Sequence, residues 1–143
     1  MKLHETRVIQ RELGEVFAFT SDFSNAENWD PGVESSKQIG SGPPQVGTRY
    51  ELMVRFGSNR IPMTYVITAL EPNTRVVLEG DGETIRAIDE ILFESTGMGT
   101  VVDYTADLTF DNWIRFVSPL MAPFLRRFVG KKALDGLVAA LEA

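Results

Sequence analysis

From Val33 to Phe110 apolar and polar residues alternate with period two, and the alternation breaks only at GSGPPQVG (40–47), GSN (57–59), EPNT (71–74), DG (81–82) and TGMG (96–99). Strict alternation over short runs is the signature of strands with one wet and one dry face, and each interruption carries residues suited to a turn. Six strands in a meander are therefore expected. A chain with so much antiparallel pairing must cover the dry face, and only its ends remain to do so.

Both ends supply helical patterns. Residues 3–11 read as a further strand, followed by a short helix in ELGEVFAFTSD with Leu13, Val16, Phe17 and Thr20 on one face. In FSNAENWDPGV, Ser24 with Glu27 three residues on forms a capping box. A second short helix should begin at Asn25 and stop before Pro31, leaving Trp29 in its last turn. Helical spacing returns from about Ser118 to Leu141, with Ser118 as N-cap, Pro119 at the first helical position and a kink at Pro123. In that helix Leu120, Phe124, Phe128, Leu134, Val138 and Leu141 form the covering stripe, Arg126 and Arg127 face solvent, and Lys131 pairs with Asp135. Its cluster Arg126, Arg127, Lys131 and Lys132 reads as a solvated face.

Hairpin register assigns the dry face. An Asp81-Gly82 turn would oppose Leu78 to Ile85 and Val76 to Ala87. Through TGMG, Phe93 opposes Val102, Ile91 opposes Tyr104, and Asp89 opposes Ala106. Backwards through EPNT and GSN, Val76 opposes Ala69, Leu78 opposes Ile67, Ile67 opposes Tyr50, and Tyr65 opposes Leu52. All three tyrosines, Tyr50, Tyr65 and Tyr104, and one acid, Asp89, then share the inner face, while Glu51, Arg55, Glu79, Arg86, Glu90, Glu94, Asp103 and Asp107 take the outer one. Asp89 must accept hydrogen bonds, from Tyr104 for instance, carry a raised pKa, or escape to water at a strand end or bulge. The tyrosines are either core residues with satisfied hydroxyls or polar handles in a pocket. Trp29 is placed as a plug between helices and sheet, or as a wall on which a ligand stacks.

The chain resembles the START-related ligand-binding superfamily (SRPBCC), in its polyketide cyclase/dehydrase and lipid transport branch. The resemblance rests on VIQRELGEVFAF, WDPGV, VGTRYEL, ITALEPNTRVVLEG, GMGTVVDYTADL and the closing LVAALEA, in that order over nearly the whole chain. RELGEVF departs from the family in lacking a proline after the first strand. The resemblance implies one domain over residues 1–143 with an α+β helix-grip fold. Its seven-stranded antiparallel sheet curls around a long C-terminal helix, with two short helices between strands 1 and 2 and a cavity between sheet and helix. The same scaffold serves lipid carriers, receptors, co-chaperones and cyclases, so it leaves the chemistry open.

Several function classes are disfavoured by the residues themselves. With no cysteine and a single histidine, His4 on the first strand, neither disulfides nor metal binding is expected. No phosphate-cradling glycine loop is present. Residues 71–111 hold ten acids against Arg75 and Arg86, and the net charge is -6, so nucleic acid is not an expected partner. No run is long and apolar enough for stable membrane insertion, and the charged N-terminus lacks a secretory h-region, which makes the cytoplasm the expected location. The expected function is binding or transport of a small hydrophobic or amphipathic ligand (lipid, quinone, isoprenoid or polyketide-like), without a cofactor. Trp29, Tyr50, Tyr65, Asp89, Tyr104, Phe124 and Phe128 are its candidate contacts. The alternatives are an aromatase/cyclase using cavity tyrosines and Asp89 as proton carriers, and a co-chaperone-like module working through the outer face. The sequence assigns neither a catalytic residue nor an oligomeric state.

Overall fold

A computed structural model describes residues 1–56, 58–110 and 131–143. Its elements run β1 (Lys2–Ile9), α1 (Leu13–Ser21), a 3-10 turn (Phe23–Asn25), α2 (Ala26–Trp29), β2 (Val33–Ile39), β3 (Arg49–Phe56), β4 (Asn59–Glu71), β5 (Arg75–Gly82), β6 (Ile85–Thr96), β7 (Gly99–Phe110) and α3 (Lys131–Glu142). The strands form one seven-stranded antiparallel sheet in the order β1-β7-β6-β5-β4-β3-β2. This is the expected α+β helix-grip architecture. Among the described residues no helix is long and apolar enough to cross a membrane.

The hairpin registers differ from expectation in an instructive way. Between β6 and β7 the expected pairs form, including Asp89 with Ala106 and Ile91 with Tyr104. Between β3 and β4, Tyr50 pairs directly with Tyr65 and Leu52 with Met63, a slip of two residues. Between β5 and β6, Val76 pairs with Ile91 and Gly80 with Ala87, a slip of four. Even slips change neighbours and preserve faces, because the side-chain period is two. Asp81-Gly82 is therefore not a turn; the chain reverses after Gly82. Neither Gly80 nor Gly82 adopts the positive φ that a primed turn requires. Both sit opposite bulky residues instead, and a Cβ on Gly80 would lie 2.5 Å from the Tyr65 ring. These glycines make room, a second use of glycine in strands.

One face assignment is corrected. A bulge between Ile67 and Ala69 pairs Ala69 with Val77 and Leu70 with Val76. Leu70, not Ala69, therefore joins the inner face. The other described apolar residues of that face are buried in, or packed against, one core shared with Val16, Phe23 and Trp29, and Leu134, Leu137 and Leu141 cover it from α3.

The capping box is also corrected. Asp22 caps the 3-10 turn by accepting from the Ser24 N–H at 3.1 Å. Ser36 on β2 takes over at α2, where its hydroxyl accepts from the Glu27 N–H at 3.0 Å and donates to the Ser24 carbonyl at 2.9 Å. A tertiary cap has replaced a local one, which ties α2 to the sheet. Ser36→Ala should cost about 1–2 kcal/mol in urea unfolding, since it removes the cap of α2 and its bond to the Ser24 carbonyl.

On α3, Leu134, Val138 and Leu141 face the core as expected, joined by Ala133 and Leu137. Leu120, Phe124, Phe128, Arg126, Arg127 and the expected N-terminal half of this helix lie outside the described residues. Asp135 pairs with Arg7 on β1 at 3.1 Å, while the side chain of its expected partner, Lys131, is not among those described.

Candidate functional site

The DPG turn after α2 fixes one rim of the concave face. Asp30 ends the helix by donating its N–H to Ala26, and its carboxylate accepts from the Gly32 N–H at 2.8 Å. This side-chain turn folds the carboxyl back over the loop. The Gly32 carbonyl in turn accepts from the Arg55 N–H on β3 at 2.7 Å, anchoring the rim to the sheet. Trp29, one residue earlier, is driven inward and is 3% exposed. Its ring meets Phe23 at 6.1 Å and Tyr104 at 6.5 Å, both edge-on.

The rim and the sheet enclose a pocket with a cavity volume of about 70 Å³, space for a few water-sized groups. Most of its wall is apolar: Ala26, Val33, Leu52, Met63, Ile85, Ala87, Ala106 and Leu108. Phe23, Trp29, Tyr65 and Tyr104 contribute rings, and Asp30 and Asp89 contribute acids. Tyr65 lies over Gly80, and its hydroxyl reaches the Met63 sulfur at 4.0 Å. Among the described residues the buried Trp29 indole N–H has no hydrogen-bond partner.

Asp89 has reached neither water nor a strand end. It is 3% exposed in mid-strand, and Tyr104 donates its hydroxyl proton to Oδ2 at 2.6 Å. Burial pushes the Asp89 carboxyl up to about 7, the Tyr104 bond pulls it down, and the charge of Asp30 pushes it up again. Asp30, which keeps some solvent contact, is raised to about 6 by burial against the pull of the Gly32 N–H. The hydroxyls of Tyr65 and Tyr104 are pushed well above the usual tyrosine range by burial and then by the Asp89 charge. Four titratable groups thus share one small volume, and burial lifts its two acids towards neutrality. Because the Tyr104 bond favours the ionised form of Asp89, Tyr104→Phe should raise the Asp89 midpoint further. Carboxyl-carbon NMR titration measures this directly, and a midpoint that stays or falls would remove Tyr104 from its role.

Of the seven expected contacts, Trp29, Tyr65, Asp89 and Tyr104 meet at this pocket. Tyr50 does not, although it shares their face. Wholly buried, it packs against Phe23 at 6.3 Å, and its hydroxyl is raised by burial and by the nearby Asp22 charge. Phe124 and Phe128 lie outside the described residues. Asp30 and Phe23 were not anticipated. The Asp-x-Gly spacing was the available signal for Asp30, because it forecasts a side chain curled onto its own backbone. His4 is exposed on the outer face and paired with Asp103, and among the described residues no cluster of His, Cys, Asp and Glu could hold a metal ion.

The family model described as polyketide cyclase / dehydrase and lipid transport matches residues 1–142. The chain belongs to that family. No curated protein matches it in sequence. Among solved structures, a protein from Thermus thermophilus aligns with a TM-score of 0.81 at 16% identity, covering 99% of this chain and 97% of that one. A START superfamily protein from Mycobacterium smegmatis aligns at 0.76 and 13% identity, with coverages of 99% and 97%. DynU16, a protein of the dynemicin biosynthetic locus, aligns at 0.64 and 15% identity over 99% of this chain and 47% of its own. Likeness at such identities establishes the fold, which in this family serves both ligand binding and cyclase chemistry.

Proposed function

We propose that this family member binds a small hydrophobic or amphipathic molecule in the pocket beneath Trp29. Its apolar part would lie against the β3, β4, β6 and β7 residues and its polar end against the Asp30, Asp89, Tyr65 and Tyr104 cluster. The observation that carries this reading is the mix of polarity: a largely aliphatic and aromatic wall into which Asp30, Asp89, Tyr65 and Tyr104 come close enough to act on one another's charge. That is how a site fixes the orientation of an amphipathic ligand. The acidic balance of the chain speaks against a nucleic-acid partner.

A cyclase is the second reading, favoured by one observation, a pair of acids lining the pocket beside two tyrosines, with both carboxyls raised by burial. Such a pair could take and return protons during aldol closure and dehydration. Among the described residues the wall offers no cysteine, lysine or histidine beside them. Native mass spectrometry of gently purified protein, run beside a cyclisation assay on a poly-β-ketone mimic, separates the readings. A bound apolar molecule at one per chain with no turnover is expected. Turnover that Asp89→Asn eliminates would establish the cyclase instead.

A further inference from the structure

We infer that the pocket prefers ligands bearing a protonated amine, with the ammonium group seated against Asp89 and Asp30 inside the ring wall of Phe23, Trp29, Tyr65 and Tyr104. The inference deepens the proposed function and rests on the pocket being a ligand site.

The first argument is charge. Two carboxyls border one small cavity, and among the described residues neither forms an ion pair. Their recorded donors are neutral: the Tyr104 hydroxyl for Asp89 and the Gly32 N–H for Asp30. A buried carboxylate without a cation is costly, and a ligand that brings the cation offsets that cost on binding. Arg55 borders the pocket but is exposed at its rim. An anionic head group would meet two acids and is disfavoured by the same reasoning.

The second argument is the rings. Phe23 stands 5.4 Å from Tyr65 and 6.1 Å from Trp29, and Trp29 stands 6.5 Å from Tyr104, so the four form a continuous wall. Aromatic faces attract an ammonium group, and do so more strongly where water is excluded. A net charge of -6 adds a field that gathers cations rather than anions. The raised carboxyl groups fit this account, because an arriving positive charge favours their ionised forms and offsets the burial that raised them.

The competing head group is a neutral hydroxyl or carbonyl, to which the Trp29 N–H, without a partner among the described residues, and the Tyr65 hydroxyl would bond. A matched series resolves the two. Hexylamine, hexan-1-ol and hexanoate carry the same slim chain, and NMR titration at about pH 8 reads the affinity of each. Hexylamine is expected to bind on the order of tenfold more tightly than hexan-1-ol, with hexanoate weakest. In Asp89→Asn, and separately in Asp30→Asn, that amine-to-alcohol ratio should collapse towards one, a quantity read within each variant and so insensitive to a general change in affinity. An alcohol that binds as well as the amine, or a ratio that survives both substitutions, would overturn the amine preference while leaving the pocket intact as a ligand site. Failure of all three to bind the parent chain would refute the ligand site and this inference with it.

Discussion

Gly136→Ala is expected to destabilise the protein by about 2–3 kcal/mol and to weaken whatever the pocket binds. In an ordinary helix interior this change would stabilise by up to about 1 kcal/mol, because alanine is the better helix former. Here the sign is reversed by a contact. A Cβ on Gly136 would overlap the Trp29 carbonyl oxygen, and Pro31 stands 3.5 Å away on the same side. Both obstacles belong to the rim, whose position is fixed by the hydrogen bonds of Asp30 within the turn and of Gly32 to β3. Either α3 lifts from its Leu134 and Leu137 contacts or Trp29 and Asp30 leave the pocket. Urea unfolding reads the first cost and probe titration the second. A variant as stable as its parent would mean that α3 sits farther from the turn than described.

Asp89→Asn should act in the opposite direction, and only at one end of the pH scale. Burial lifts the carboxyl from 3.8 to about 7 in the folded chain, so between those values the folded state holds a proton that the unfolded state has released. The contribution of Asp89 to stability is therefore greatest below about pH 4, falls as pH rises towards 7, and is flat beyond. Asparagine keeps the size and can still accept from Tyr104, but it has no proton to lose. At about pH 8 the variant should be more stable by on the order of 1–3 kcal/mol, and near pH 4 the two should be alike. Asp30, raised to about 6, leaves a smaller slope of the same sign in both proteins. Thermal unfolding across this range checks the prediction. Loss of stability in the variant at pH 8 would show that the carboxylate has a partner worth more than its burial costs.

Much of the fold was legible because its main signal, the two-residue period, tolerates error. Misplaced turns shifted the Tyr50 and Val76 pairings by two and four residues, yet Tyr50, Tyr65, Asp89 and Tyr104 kept their common face. Where the chain inserts a single residue, as at the bulge before Ala69, that tolerance ends and Leu70 replaces Ala69. Asp81-Gly82 was misread because a glycine that yields space to Tyr65 or Met63 has the same letter as a glycine that turns the chain. Ser36 as the cap of α2 had no local trace, since its partner lies nine residues earlier and the turn into β2 sets the distance. The site was half legible for a related reason. Alternation says which face a side chain takes, but not what stands above it. Tyr50 is covered by Phe23 and misses the pocket, while Asp30 enters from a turn that alternation does not describe.

The central claim is that the space beneath Trp29 is a binding pocket, and NMR titration of a slim apolar probe, hexan-1-ol, into the parent and into Ala106→Leu tests it most directly. Ala106 is buried in the pocket wall opposite Asp89, so the added carbons would fill the space while leaving the outer face of the sheet untouched. The account predicts saturable binding at one probe per chain, weakened on the order of tenfold or more by the filled pocket, with circular dichroism unchanged. Equal binding by the two folded proteins, or none by the parent, would contradict it.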